Sequence, residues 1–259
     1  MLYPDLSFGR FGRTLLKPLY AKLYSNPFTE PLTDDETHIS EWWASSIRAT
    51  VPRVVEIKPP HPEVLIYTDA ASGKVGSDSA SLAAVVLIPD VFRASGRFSA
   101  VLSEHADSSW ETIFSETTYI FGLELLAVVA TVFFLRDFLR GKNVIFYVDN
   151  SNTKDALVRG YSNTPVINTL VQIFWAFAQS IGAWFWFEQV PSGRNIADLP
   201  TRGVELPLPS LAYSDFQILE ILKTWATSPH KKEEFSRFIR NPAESERHDI
   251  PLSTGNTVW

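Results

Sequence analysis

Two acidic residues stand at the ends of apolar, β-favouring runs, where a strand would hold a carboxylate rigidly. Asp69 follows the run at residues 64–68, and Asp149 follows a second run at residues 144–148. An acid at the end of a single strand most often only begins a turn, so neither run identifies a site by itself. The repetition of the pattern, together with two further acids described below, indicates a functional site made of carboxylates.

The third acid, Glu124, is the single charged residue between residues 117 and 135. This run predicts a helix over residues 116–140, and Glu124 shares an apolar face with Ile120 and Val128. A buried, isolated carboxylate loses its hydration, so it must be protonated, paired or bound to a metal ion. With the two strand-end aspartates, a metal site is the favoured interpretation, and a protonated structural glutamate is the alternative.

The same run is long and apolar enough to suggest a transmembrane helix. However, an acid in the middle of a span costs roughly 3 kcal/mol in lipid, and the flanks lack a clear charge asymmetry. Strand patterns also continue on both sides of the run. We therefore predict a buried helix of a globular domain and no membrane span.

The fourth acid, Asp198, lies in the segment VPSGRNIADLPTRG at residues 190–203. Pro191 begins a turn, and Asn195 is placed to cap a short helix that presents Asp198. Pro200 limits the length of that helix. The alternative interpretation of Asp198 is a plain acid in a helical turn.

The elements that must position these acids alternate between strands and helices in the order β-β-β-α-β-α-β-α. The predicted strands fall at residues 64–69, 81–89, 96–102, 144–148 and 183–187. The predicted helices fall at residues 116–140, 151–158 with 165–181, and around Asp198. Residues 103–115 are polar and predict a loop. The crossover from the fourth strand to the fifth is helical, so these two strands are predicted to be parallel.

Both ends of the chain predict helical extensions. Thr33 and Glu36 are placed to begin a helix in the first of them, and the proline-rich residues 58–62 predict a stiff linker. The predicted organisation is a helical connection-like region at residues 1–57, the main domain at 58–203, and a C-terminal helical extension and tail at 204–259.

Composition excludes some kinds of site. The chain has 259 residues, of which 45% are hydrophobic and 20% charged, as in folded globular proteins. It has no cysteine, which excludes disulfides and thiolate metal sites. The formal net charge of −6 argues against broad, autonomous binding of nucleic acid.

The first 25 residues contain four basic residues and one acid, a pattern that also occurs in organelle-targeting segments, and no secretory signal is evident. The sequence does not decide the compartment; the alternatives are the nucleus or cytoplasm, and the mitochondrion with an uncleaved N-terminus.

The four acids lie in the motifs YTDAAS, LELLA, FYVDN and NIADLPTR. In this order the motifs resemble the ribonuclease H domain of retroelement reverse transcriptases. NIADLPTR is similar to the N-x-x-A-D-x-x-S-R ending of DIRS-type elements and their relatives. The segment FGRTLLKPLYAKL and the helix containing Trp42 and Trp43 are similar to the connection segment that precedes such a domain. The resemblance covers about residues 8–203.

The resemblance implies an α/β, ribonuclease H-like fold. Its sheet would be mixed and five-stranded, in the strand order 3-2-1-4-5, with flanking helices and helical extensions at both termini.

The resemblance also implies a metal-dependent nuclease that cleaves the RNA strand of RNA–DNA hybrids, or RNA. Four converging carboxylates repel one another unless cations neutralise them, and oxygen ligands suit Mg²⁺ or Mn²⁺. Two such ions would be present in an active enzyme. The implied catalytic and metal-binding residues are Asp69, Glu124, Asp149 and Asp198. The candidate substrate-binding residues are Ser72, Asn150, Asn195 and Arg202.

Three departures from the family support an alternative function. The loop at residues 188–192 lacks the histidine that active members often place before the last aspartate, and the chain has neither a polymerase motif nor a basic hybrid-binding helix. The alternative is a domesticated, retroelement-derived subunit of a larger organellar or ribonucleoprotein complex, with little or no nuclease activity. Its terminal extensions would bind other subunits, and Arg194 or Arg202 would occupy the acidic site in place of metal ions.

Overall fold

The structure is a computed structural model. It describes residues 31–49, 63–72, 79–88, 99–107, 109–114, 118–208 and 210–212, with short helical stretches at 16, 19–20, 22–24, 219, 222–224 and 227. Most of the basic N-terminal segment, the proline-rich linker before residue 63 and the tail beyond residue 227 lie outside the described residues.

The centre of the fold is a mixed sheet, so the prediction of a mixed α/β fold is confirmed. Its strands are β1 (Val64–Ala71), β2 (Ser79–Leu87), β3 (Ser99–Asp107), β4 (Asn143–Val148), β5 (Trp184–Gln189) and β6 (Ser210–Ala212). The strand order is β5-β4-β1-β2-β3-β6. β1, β2 and β3 form an antiparallel meander, whereas β4 pairs in parallel with β1 and with β5.

The sheet has one strand more than the five predicted. β6 pairs in parallel with β3 at the edge of the sheet, and its three residues are too few to show a strand pattern in the sequence. The segment after residue 203 is therefore not a purely helical extension. Leu219 and Leu222 of that segment are also buried in the main core. The division of the chain into three domains stays a prediction.

The prediction of a loop at residues 103–115 is wrong for most of that segment. β3 continues to Asp107 because it pairs with β2 along its whole length, from Leu87 opposite Ser99 to Ser79 opposite Asp107. The sequence SEHAD at residues 103–107 lacks the alternation of apolar and polar residues that would predict a strand, but its backbone pairs with β2. A short helix then follows.

Besides the short stretches named above and a 3-10 helix at Ser192–Arg194, seven α-helices are described. They are α1 (Asp34–Ala49), α2 (Ser109–Ile113), α3 (Tyr119–Phe134), α4 (Arg136–Leu139), α5 (Ser151–Arg159), α6 (Pro165–Ser180) and α7 (Asp198–Thr201). α1 begins as predicted, because the Thr33 N–H donates to Glu36 Oε2 at 2.7 Å and the Glu36 N–H donates to Thr33 Oγ1 at 3.3 Å. This reciprocal pair is a capping box.

The long apolar run forms α3 and α4, separated by a break at Leu135. α3 and α6 pack against one face of the sheet, and every residue of α3 from 122 to 133 is buried. Burial on all sides explains why the run resembles a membrane span. Among the described residues, no helix is long and apolar enough to cross a membrane.

The opposite face of the sheet is covered by the segment around α7. Ile196, Ala197, Leu206 and Leu208 pack there against side chains of β1, β2 and β3. The helix that carries Glu124 and the turn that carries Asp198 therefore approach the sheet from its two faces.

Gly122 permits the close packing of Phe114, the residue after α2, against α3. A Cβ added at Gly122 would lie 2.4 Å from Cδ1 of Phe114, whose ring is fully buried beside Trp110. We expect Gly122→Ala to lower the free energy of unfolding by about 1–3 kcal/mol, because overpacking exceeds the gain in helix propensity.

Urea unfolding measures this change. The control is Gly193→Ala, where a Cβ meets no atom within 4 Å, and it should change stability by less than about 0.5 kcal/mol. A Gly122→Ala protein as stable as the wild type would contradict the packing.

Candidate metal centre

Asp69 and Asp149 lie side by side at one edge of the sheet. β1 and β4 are parallel neighbours in which Tyr67 is opposite Tyr147, and the two tyrosine rings stack with their centroids 4.6 Å apart. Asp69 follows Tyr67 by two residues within β1, and Asp149 follows Tyr147 by two residues just beyond β4, so the two aspartates leave neighbouring positions of the sheet. The parallel pairing thus brings Asp69, inside β1 near its end, next to Asp149, which follows β4.

Glu124 of α3 reaches the same place. Carboxylate oxygens of Asp69, Glu124 and Asp149 all lie within 4.8 Å of one another. Asp69 and Glu124 are each 4% exposed, and Asp149 is partly buried. We call these three residues the acidic cluster.

Glu124 is strongly perturbed by this environment. Burial, followed by the negative charges of Asp149 and Asp69, raises the pKa of Glu124 to about 10, although a hydrogen bond from the backbone of Ala70 opposes the shift. Its Oε2 atom is buried and has no hydrogen-bond partner among the described residues. Without a cation, Glu124 is therefore protonated at neutral pH.

Asp69 is buried but better supported. Burial raises the pKa of Asp69, a hydrogen bond from Thr201 opposes the shift, and the charges of Asp149 and Asp198 add to it. The Thr201 hydroxyl donates to Asp69 Oδ2 at 2.6 Å. Nδ2 of Asn195 donates to the carbonyl oxygen of Thr68 at 2.9 Å. The chain segment around α7 thus fixes the end of β1.

Solved structures similar to this chain include ribonucleases H1. One is RNase H1 from the halophilic archaeon Halobacterium salinarum, which is 16% identical, with 52% of this chain and 89% of that chain covered and a TM-score of 0.36. Another is LC11-RNase H1 in complex with an RNA/DNA hybrid, at 15% identity, 52% and 91% coverage and a TM-score of 0.37.

A third similar structure is LC9-RNase H1, a type 1 RNase H with the type 2 active-site motif, at 14% identity, 69% and 87% coverage and a TM-score of 0.35. No protein-family model matches the chain. No curated protein matches it.

Asp198 lies outside the acidic cluster. It is the first residue of α7, and both of its carboxylate oxygens lie 2.8 Å from Nε of Arg202, one helical turn later. Its charge nevertheless contributes to the raised pKa of Asp69, so it lies near the cluster. The structure brings three of the four predicted acids together and pairs the fourth with an arginine.

The four candidate substrate-binding residues differ in their surroundings. Ser72 is exposed directly after β1, and Arg202 is exposed and paired with Asp198. Oδ1 of Asn150 accepts the N–H groups of Asn152 and Thr153 at the start of α5. The Asn195 side chain is buried against β1. The two asparagines therefore carry structural hydrogen bonds.

The acidic cluster fits a hard divalent cation. All the side-chain atoms that it offers as metal ligands are carboxylate oxygens, which Mg²⁺, Mn²⁺ and Ca²⁺ prefer over softer ligands. A bound cation would also provide the missing partner of Glu124 Oε2 and neutralise the repulsion within the cluster.

Thr201 is a residue of the site that the sequence analysis missed. The available signal was a hydroxyl three residues after Asp198 within NIADLPTR. A hydroxyl at that spacing commonly bonds to its own helical turn, as Thr201 also does at 3.0 Å to the Asp198 carbonyl oxygen. Its bond to Asp69 depends on the tertiary fold.

Proposed function

We propose that the protein is a ribonuclease H-like, divalent-metal-dependent nuclease that hydrolyses the RNA strand of RNA–DNA hybrids. The observation that carries this proposal is the acidic cluster, in which β1, α3 and β4 bring three carboxylates within 4.8 Å of one another. Two buried carboxylates destabilise the fold unless a partner compensates for their lost hydration, and a bound cation would provide that compensation.

Asp69, Glu124 and Asp149 would hold Mg²⁺ or Mn²⁺, with two ions in the active enzyme. Such ions, when bound, activate water and stabilise the leaving oxygen in phosphodiester hydrolysis. Strand backbones fix Asp69 and the start of the turn at Asp149, and α3 fixes Glu124. The chain thus supplies rigid ligands on three separate elements.

Asp198 would complete the ligand set by exchanging Arg202 for a cation. Arg202, once released, would be free to contact a phosphate of the substrate, which suits a guanidinium group. The exposed Ser72 is placed at the end of β1 to contact the hybrid. We assign the origin of the domain to retroelements of the DIRS type on the motifs alone.

Cleavage assays test the proposal directly. The purified chain is incubated with a hybrid, a double-stranded RNA and a double-stranded DNA, each labelled on one strand, in Mg²⁺, Mn²⁺ or EDTA. We expect cleavage of the RNA strand of the hybrid in either metal ion and none in EDTA. Cleavage that persists in EDTA, or its absence at every metal concentration, would contradict the assignment.

The Asp198–Arg202 pair also favours a second candidate function, a retroelement-derived structural subunit with little nuclease activity. An arginine here neutralises one acid that a metal ion would need. However, among the described residues no lysine or arginine forms an ion pair with the acidic cluster itself. Among the described residues, Asp198 is therefore the one predicted acid that forms an ion pair with a basic side chain.

The variant Arg202→Gln separates the two functions. The pair is exposed and screened by solvent, so the free energy of unfolding should be nearly unchanged. In an enzyme, release of Asp198 should increase the rise in Tm that Mg²⁺ produces, and loss of the guanidinium should weaken binding of the hybrid. In a structural subunit, neither quantity responds.

A matched control exists on α5. Arg159 forms the same i,i+4 pair with Asp155 at 3.6 Å on an exposed surface. Arg159→Gln should leave both the Mg²⁺ response and hybrid binding unchanged. Thermal melts across a Mg²⁺ series, with hybrid binding measured in Ca²⁺, compare the two variants.

A further inference from the structure

The carboxylate of Asp69 is held by two side chains from one short segment. Thr201 donates to its Oδ2 at 2.6 Å, and Nδ2 of Asn195 lies 3.5 Å from its Oδ1 while donating to the Thr68 carbonyl oxygen at 2.9 Å. Asp69, Asn195 and Thr201 are 4%, 4% and 6% exposed, so water does not compete for these bonds. These contacts join residues 126 to 132 positions apart.

The hydroxyl of Thr201 donates its proton in a hydrogen bond to Asp69 and not to its own helical turn. Two acceptors are within reach, Asp69 Oδ2 at 2.6 Å and the Asp198 carbonyl oxygen at 3.0 Å. A hydroxyl has one proton, and a bond to a charged carboxylate is shorter and about twice as strong as a neutral one. The distance to the Asp69 carboxylate is accordingly the shorter of the two.

The Asn195 amide has a defined orientation. Its Oδ1 accepts the N–H of Ala197 at 3.2 Å, so its Nδ2 must face β1. This arrangement anchors the segment around α7 to the backbone beside Asp69. Thr201 therefore approaches the carboxylate from a fixed position.

We propose that Thr201, supported by Asn195, is a positioning residue that holds the Asp69 carboxylate in its metal-binding orientation. This inference rests on the proposed function. Groups that hold a metal ligand commonly contribute a factor of about 10–100 to metal affinity. The role needs a hydroxyl donor and not merely a side chain of that volume.

Mn²⁺ binding, measured by electron paramagnetic resonance, tests this role in three variants. Thr201→Val keeps the shape and removes the donor, so Mn²⁺ should bind about 10–100-fold more weakly. Thr201→Ser keeps the donor and should bind within about 3-fold of the wild type. Thr131→Val removes a buried hydroxyl that donates to the Ala127 carbonyl oxygen within α3, and should leave Mn²⁺ affinity unchanged.

A second readout separates positioning from a general loss of structure. If Thr201→Val only weakens Mn²⁺ binding, hybrid cleavage should recover when Mn²⁺ far exceeds the weakened Kd. Wild-type affinity in Thr201→Val, or an equal loss in Thr201→Ser, would overturn the inference while leaving the metal centre intact. A wild-type protein that binds no Mn²⁺ would overturn the proposed function and this inference with it.

Discussion

Asp149→Asn is expected to slow cleavage of the hybrid more than about 100-fold without unfolding the protein, a larger loss than that from removing a group that only supports a metal ligand. The substitution removes the charge of a carboxylate of the acidic cluster and keeps the shape of the side chain. Asp149 is only partly buried and follows the last residue of β4, so β4 itself is unaffected. Its removal also lowers the repulsion on Glu124, so the metal-free protein should be no less stable than the wild type.

Initial rates at a fixed, saturating Mg²⁺ concentration measure the loss, and a thermal melt verifies the fold. Asp155→Asn is the control, because Asp155 is an exposed residue on the adjacent helix whose ion pair is with Arg159. Asp69→Asn should also be inactive, but its contact with Thr201 makes it a less specific test. A folded Asp149→Asn protein with the wild-type rate would remove Asp149 from the mechanism.

Local patterns single out the three acids of the cluster in the sequence, and the resemblance to ribonuclease H domains implies that they converge. The apolar runs before Asp69 and Asp149 indicate buried strands. Glu124 stands out because it is the one charged residue among the nineteen residues 117–135. Parallel neighbouring strands end at the same edge of a sheet, so their convergence follows from the fold class.

Other features depend on contacts that no local pattern contains. The bond between Thr201 and Asp69 spans 132 positions of sequence. β6 has three residues, and it forms a strand because its backbone pairs with β3 at the edge of the sheet. In contrast, the Asp198–Arg202 pair has the i,i+4 spacing of a helical ion pair, which the sequence shows once a short helix is predicted there.

The second large effect concerns the stability of the protein without metal. Glu124 has a pKa of about 10 in the folded chain against an ordinary value of 4.5, and burial is the main cause. Between these two values the folded chain keeps a proton that the unfolded chain releases. The free energy of unfolding therefore falls as pH rises from 4.5 towards 10, and the loss at pH 7 is roughly 3 kcal/mol.

We expect Glu124→Gln to remove most of this loss. A glutamine does not ionise in the unfolded chain, and its amide can donate to the carboxylate of Asp149, to which the protonated Glu124 side chain hydrogen-bonds. In EDTA at pH 7, the variant should be as stable as the wild type or more stable, by up to roughly 3 kcal/mol. Its stability should also depend less on pH between 5 and 9.

Magnesium ions should reverse this order of stability. Binding to the folded state alone raises stability by RT ln(1 + [L]/Kd), and a glutamine is a weaker ligand for Mg²⁺ than a carboxylate. The Tm of the wild type should therefore rise with Mg²⁺ concentration, and the Tm of Glu124→Gln should rise less. Glu63→Gln, at an exposed residue before β1, is the control and should keep the wild-type response.

Thermal melts in EDTA and in a millimolar Mg²⁺ series, at pH 5, 7 and 9, measure both effects on the same samples. A variant less stable than the wild type in EDTA would mean that Glu124 is ionised and paired in the folded chain. A Tm that does not respond to millimolar Mg²⁺ in the wild type or in Glu124→Gln would contradict the metal centre. The acidic cluster would then be a cost to stability without a cation to offset it, and the structural subunit would be the better account of the chain.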